Sequence, residues 1–193
     1  TWTFKEKDLV SGYYPQLSAF VDSNVKRVKD FSLNAVTRSI EGGLGTKDSP
    51  YIIETKEDMD TLSYNVSIGN TYENYYFKVK DGIDQIILDD FAPIGKSAKP
   101  FRGNFDGNFA DFSLSINRAS ESEVALFGFM DKGLIKNLSI SGNVVGANYV
   151  SGILGLNYGA EVTNVYNNAR ISGTNHIGGI VGYLQQGTIS FAS

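Results

Sequence analysis

Apolar and glycine positions in the C-terminal half of the chain recur at a long fixed interval. Gly128, Gly155 and Gly182 fall at i, i+27 and i+54, and Ile135, Val162 and Ile189 keep the same interval. The pairs Asn137/Asn164, Leu138/Val165, Val144/Ile171 and Gly146/Gly173 fall in the same register. Six columns aligned without a gap define an internal repeat, and a repeat takes precedence over local readings of secondary structure. Each unit opens with an apolar run around a glycine (124–129, 150–156, 177–183) and turns at Gly133, Gly159 or Gly187. A β-rich segment follows (134–140 or 162–166), and a third segment ends at Gly146 or Gly173. This predicts three short strands and three turns per repeat, because helices tolerate such Gly and β-branched content poorly.

Three short strands cannot bury their own side chains. Stacked on the next unit at about 4.7–4.9 Å per coil, they share a continuous core and pair their backbones. Ile135, Val162 and Ile189 then form an aliphatic ladder. Asn137 on Asn164 forms an asparagine ladder at a bend, where Asn tolerates the left-handed conformation and its amide bonds to the next coil. The expected fold is all-β, a right-handed parallel β-helix (solenoid). A β-sandwich is the alternative, but it predicts hairpin turns and no fixed register.

Upstream the pattern changes. Thr55-Lys56-Glu57-Asp58 reads as a capping box. Met59, Leu62 and Val66 fall on one helical face, and Gly69 is a stop. A helix over 56–67 with a polar outer face would cap the solenoid, as solenoid ends require. Tyr75–Val79, Ile86–Leu88 and Phe101–Phe105 read as strands, and Asp106-Gly107-Asn108 as a turn. Residues 18–41 read as a linker or extended connection. The resulting organisation is a tail of a preceding module plus linker at 1–41 and a β-helix module at 42–193. Its lead-in and cap occupy 42–110 and its 27-residue coils 111–193.

Composition agrees with this reading and narrows the function. The 193 residues include 21 Gly, 11 Tyr and 12 Phe, which suits strands joined by tight turns. The net charge of −4 and the lack of a basic stripe argue against nucleic-acid binding. Cysteine is absent, which excludes disulfides and thiolate metal sites. No apolar stretch is long enough to span a membrane, and Thr1 is not followed by a signal-peptide pattern. The opening Thr-Trp-Thr-Phe is read as part of a longer protein, whose export signal and anchor lie elsewhere.

Several segments carry a family resemblance. Gly152-Ile153-Leu154-Gly155 and Gly179-Ile180-Val181-Gly182 resemble the motif that names the GLUG repeat, and Ala125-Leu126-Phe127-Gly128 is a looser copy. The stretch from Gly45 to Ile53 is similar to the opening of such modules, and Pro93-Ile94-Gly95 and Phe101–Asn108 to the segments that follow. The resemblance covers roughly residues 42–190. It implies an exported, adhesin-like protein of the bacterial cell surface or cell wall, with host glycans or proteins and neighbouring modules of the same chain as partners. Such modules also occur in N-terminal regions of IgA1-specific metalloproteases. Trp2, Phe4, Gly12, Tyr13, Pro15 and Leu17 look like the closing stretch of one. Phe109 departs from the pattern, standing where the family has Gly, and Phe191 occupies the column of Asn137 and Asn164. The zinc-protease motif His-Glu-x-x-His is missing, so no protease activity carries over.

The residues offer little chemistry. His176, the single histidine, lies in an expected turn and cannot build a multi-histidine metal site. A polysaccharide-cleaving β-helix would gather acids with Arg or Lys on one face. Here Lys136 falls in the column of Thr163, Arg170 in that of Asn143 and Glu161 in that of Leu134. Asp81, Asp84, Asp89 and Asp90 cluster in sequence without the spacing of a calcium loop, and are read as solvated. Asp106 reads as a turn residue. The sequons at Asn65 and Asn137 fall in a helix and a ladder and are discounted. Tyr72 and Tyr75 are the candidate ligand-binding residues, since exposed tyrosines anchor sugars and protein partners. Tyr76, with Tyr72 as a second candidate, is assigned to the core. No catalytic residue, metal or cofactor is assigned. The expected function is a non-catalytic structural or adhesive module. The alternatives are a substrate-capture region of a surface protease and, behind it, a carbohydrate-active β-helix.

Overall fold

In the computed structural model, described over residues 39–193, the chain winds into a parallel β-solenoid of about five turns. The tail and linker assigned to the N-terminal residues lie, up to residue 38, outside the described residues. In chain order the elements are β1 (Tyr51–Ile53), α1 (Lys56–Ser67), β2 (Tyr76–Val79), β3 (Gln85–Asp89), β4 (Asn104–Asp106), β5 (Asp111–Asn117) and β6 (Ser122–Val124). There follow β7 (Phe127–Met130), β8 (Leu134–Val145), β9 (Asn148–Val150), β10 (Leu154–Asn167), β11 (Arg170–Ser172), β12 (Asn175–Ile177) and β13 (Val181–Ala192). One ladder runs β1-β2-β4-β8-β10-β13. A second face stacks β3, β5, the end of β8, and β11; β6, β9 and β12 form a third. Pairing between these strands is parallel throughout.

The sequence period is the structural register. Val162 pairs with Ile135 and Ile189, Leu154 with Phe127 and Val181, and Ile171 with Val144, each exactly one repeat interval apart. The lead-in stacks in the same ladders, but its intervals vary. Tyr51 pairs with Phe77 at i+26, Phe77 with Phe105 at i+28 and Phe105 with Ile135 at i+30. The aliphatic ladder therefore extends upstream into an aromatic one. Phe77, Phe105, Ile135 and Val162 are buried in it.

Two features differ from the three-short-strand expectation. β8, β10 and β13 are 12, 14 and 12 residues long and run around a corner without a break. At this corner each coil places a left-handed residue in the same column: Asn137 (φ 54), Asn164 (φ 51) and Phe191 (φ 49). A single left-handed residue redirects the strand while its neighbours keep pairing with the next coil. The second feature is the glycine column. A Cβ on Gly128 would lie 2.4 Å from the Gly95 carbonyl oxygen, one on Gly155 2.8 Å from that of Gly128, and one on Gly182 2.7 Å from that of Gly155. None of the three has a positive φ. Close backbone approach between coils, rather than conformational freedom, requires glycine there.

The helix forms over the expected residues. Thr55 Oγ1 accepts a hydrogen bond from the Asp58 amide at 3.3 Å, and the Asp58 carboxylate accepts from the Thr55 amide at 3.0 Å. Met59, Leu62 and Val66 are fully buried. α1 packs beside β3, whose strand partner is β5, and Ser63 donates to the Ala92 carbonyl at 2.8 Å. The helix thus covers the core at this end of the stack.

Candidate functional site

The connection from α1 to β2 is tightly wound. Gly69 (φ 112), Tyr72 (φ 55) and Asn74 (φ 68) all take positive φ, and the Tyr75 amide donates to the Tyr72 carbonyl at 3.0 Å. Positive φ is unfavourable for a bulky residue and persists only where surrounding contacts fix it. At Tyr72 those contacts are visible. Its ring meets Phe77 edge-on at 5.1 Å, and its hydroxyl oxygen accepts from the Asn65 amide at 2.8 Å. Burial pushes the Tyr72 phenol above its ordinary value of 10.0.

Tyr75 turns the other way. It is 43% exposed, and its ring lies nearly parallel to that of Tyr51, with centroids 5.9 Å apart at 7°. Tyr72 contacts it edge-on at 5.8 Å. The Gly45 backbone lies against both parallel rings: a Cβ there would sit 2.5 Å from Tyr51 and from Tyr75. Its carbonyl accepts from the Tyr76 amide at 2.9 Å. The pair is consequently held from three sides.

These rings line a recess of about 660 Å³, together with Asn70, Thr71, Glu73 and Ile40. Glu73 bonds Lys132 at 2.8 Å and lies 3.7 Å from Arg102, which makes two 2.7 Å bonds to Asp131. The Lys132 ammonium holds the Glu73 carboxyl below its ordinary value, and Asp131 raises Arg102.

The structure therefore brings Tyr72 and Tyr75 together and divides their roles. Tyr72 is a half-buried support and Tyr75 the exposed ring. Tyr76 is not in the core: alternation along β2 turns it outward, half-buried, and gives the core position to Phe77. Tyr51, Gly45 and Glu73 were not singled out from the sequence. The separation of Tyr51 and Tyr75 is shorter than the repeat interval, so no periodic signal joins them.

The ladder positions fall as expected. Asn164 donates to the Asn137 side chain at 2.7 Å, and Asn137 to Asp106 at 3.0 Å. Asp106 also accepts from the Asn108 amide at 2.9 Å, the expected turn bond. A second ladder was missed: Asn175 donates to Asn148 at 2.8 Å, and Asn148 to Ser122 at 3.2 Å. Asn148 and Asn175 stand one repeat interval apart, which was its signal. His176 is exposed, but in β12 rather than in a turn, with its ring on Tyr149 at 4.9 Å. Among the clustered acids, Asp81 pairs with Lys78 and Asp90 with Arg118, both at 2.8 Å. Among the described residues no group of three His, Cys, Asp or Glu side chains converges. Lys136, Arg170 and Glu161 pair with Thr163, Asn143 and Leu134, whereas on its other side Lys136 pairs with Asp106 and bridges to it at 3.0 Å.

Fold and recess define a parallel β-solenoid with a tyrosine-lined recess at its helix-capped end. No family model matches the chain, and no solved structure matches it. Two curated proteins are similar. One, from Evansella cellulosilytica, carries the name "Putative Gly-rich membrane protein" and is 35% identical over 129 residues, 61% of this chain. The other is halomucin of Haloquadratum walsbyi, 31% identical over 169 residues, 82% of this chain. The chain spans 14% and 2% of the lengths of these relatives. Among the described residues no helix is long and apolar enough to cross a membrane.

Proposed function

We propose that this chain is a non-catalytic structural and adhesive module of a much larger surface protein, GLUG-like in type. It stands outside the cell and binds or presents host or matrix ligands. The observation that carries this reading is the unbroken parallel ladder from β1 to β13. Its shared core and backbone pairing make a stiff spacer that needs no disulfide, and it holds the Tyr75 ring at one end. The names of the two similar proteins, one of a membrane and one a mucin, fit a place at the surface of a bacterial or similar cell.

The test is antibody labelling of intact and lysed cells that carry the gene, with the purified chain incubated beside it on acidic polysaccharides. Labelling of intact cells without polysaccharide turnover is expected. Signal that needs lysis, or turnover by the chain, contradicts the reading.

A further inference from the structure

We infer that the recess around Tyr51 and Tyr75 is a binding site for a neutral saccharide. This deepens the surface-module reading and rests on it. Tyr75 presents an exposed aromatic surface that Tyr51, Tyr72 and the Gly45 backbone already hold in place. Sugar C–H faces pack on such rings, and a ring immobilised before binding loses little entropy when it binds.

The recess also has a polar rim. Tyr72 contributes its ring rather than its hydroxyl, which accepts from buried Asn65. Thr71 supplies a hydroxyl that can donate or accept, and Glu73 a carboxylate that accepts. Vicinal sugar hydroxyls need that mixture of donors and acceptors. The volume of about 660 Å³ lies in the range of small-ligand sites.

Charge separates neutral from acidic sugars. Glu73 is the charged side chain among the described residues lining the recess. The nearby cations are engaged, Lys132 by Glu73 and Arg102 by Asp131. A sulfate or uronate would meet the Glu73 carboxylate and would have to displace an existing ion pair to reach a cation. An extended peptide is also disfavoured. Strand addition needs an open edge, and the 42–50 segment lies along β1 with the Ile52 amide donating to Gly42.

The full chain would be screened on an array of immobilised neutral di- to tetrasaccharides of hexoses and N-acetylhexosamines, beside sialylated and sulfated glycans and a peptide set. Affinity for the best neutral hit would then be measured by calorimetry. Tyr75→Ala is expected to weaken that affinity about tenfold or more, and Tyr75→Phe about twofold or less. Glu73→Gln lies on an exposed side chain and tests the rim without disturbing the fold. It is expected to weaken neutral hits several-fold. The inference is overturned if only acidic glycans or peptides bind, if nothing binds, or if neutral hits survive both Tyr75→Ala and Glu73→Gln. Surface labelling of intact cells is read separately. The surface reading can therefore stand while the saccharide assignment falls, and the reverse outcome is equally visible.

Discussion

The two ends of the described coils are built from the same repeating logic and packed differently. At the β1 end, α1 lays Met59, Leu62 and Val66 over the core, and each is fully buried. At the β13 end the core-facing column continues, but among the described residues β13 has β10 as its strand neighbour and none on its other side. One column shows the consequence: Ile135 and Val162 are fully buried, whereas Ile189, the same type of residue in the same register, is 38% exposed. Val150 is likewise buried and its stacked partner Ile177 exposed. Periodicity thus specifies a lattice of positions. A neighbour on each side, whether coil or helix, decides how much each position contributes.

That difference predicts unequal costs for equal substitutions. Ile135→Ala should destabilise the chain by about 2–5 kcal/mol, the usual range for a buried large-to-small change. Ile189→Ala should cost less than half as much, because the side chain it removes is partly in water already. Urea unfolding of both variants at unchanged m value checks this. Equal costs would mean that the last coil is packed like the interior ones.

The capped end can be weakened through its N-cap alone. Thr55→Ala removes the hydroxyl that accepts from the Asp58 amide, at about 1 kcal/mol. Amide exchange should rise first in 56–67 and in β3, while β8 to β10 keep their protection. Uniform loss of protection would show that the helix does not act as a local cap.

How far this was legible from sequence differs between the same two regions. The coils from β7 onward keep a constant interval, so Gly128/Gly155/Gly182, Ile135/Val162/Ile189 and Asn137/Asn164 could be aligned without a structure. The helix was legible too, since Thr55 and Asp58 bond each other locally. The lead-in coils were not. Their register lengthens from each coil to the next, because turns of different length close them, and a variable interval leaves no column to align. Gly95 belongs to the glycine column, yet its distance along the chain to Gly128 is longer than the repeat interval. The recess was half legible. Tyr72 and Tyr75 stood out as neighbours in sequence, but Tyr51 and Gly45 join them only through pairing of β1 with β2.

The smallest expected effect is electrostatic and also sits at the capped end. Lys132 lowers the Glu73 carboxyl from its ordinary 4.5. A depressed carboxyl contributes stability that is present above its unfolded value and lost as pH falls through the folded one. Glu73 is solvent-facing, so the effect on stability should be slight and reduced by salt. An NMR titration should place the Glu73 midpoint below 4.5, and Lys132→Ala should raise it toward the ordinary value.

The central claim is that parallel coils stay in register from the helix cap to the last strand, and the cysteine-free chain makes it directly measurable. Thr163 and Ser190 are paired across β10 and β13, with their hydroxyls 2.8 Å apart. The double variant Thr163→Cys/Ser190→Cys should close a disulfide under mild oxidation. Thr163→Cys/Thr188→Cys, two residues out of register on the same face, should stay open, because its Cα separation exceeds the roughly 7 Å that a disulfide can bridge. Failure of the first pair, or closure of both at equal rates, would contradict the stacked register.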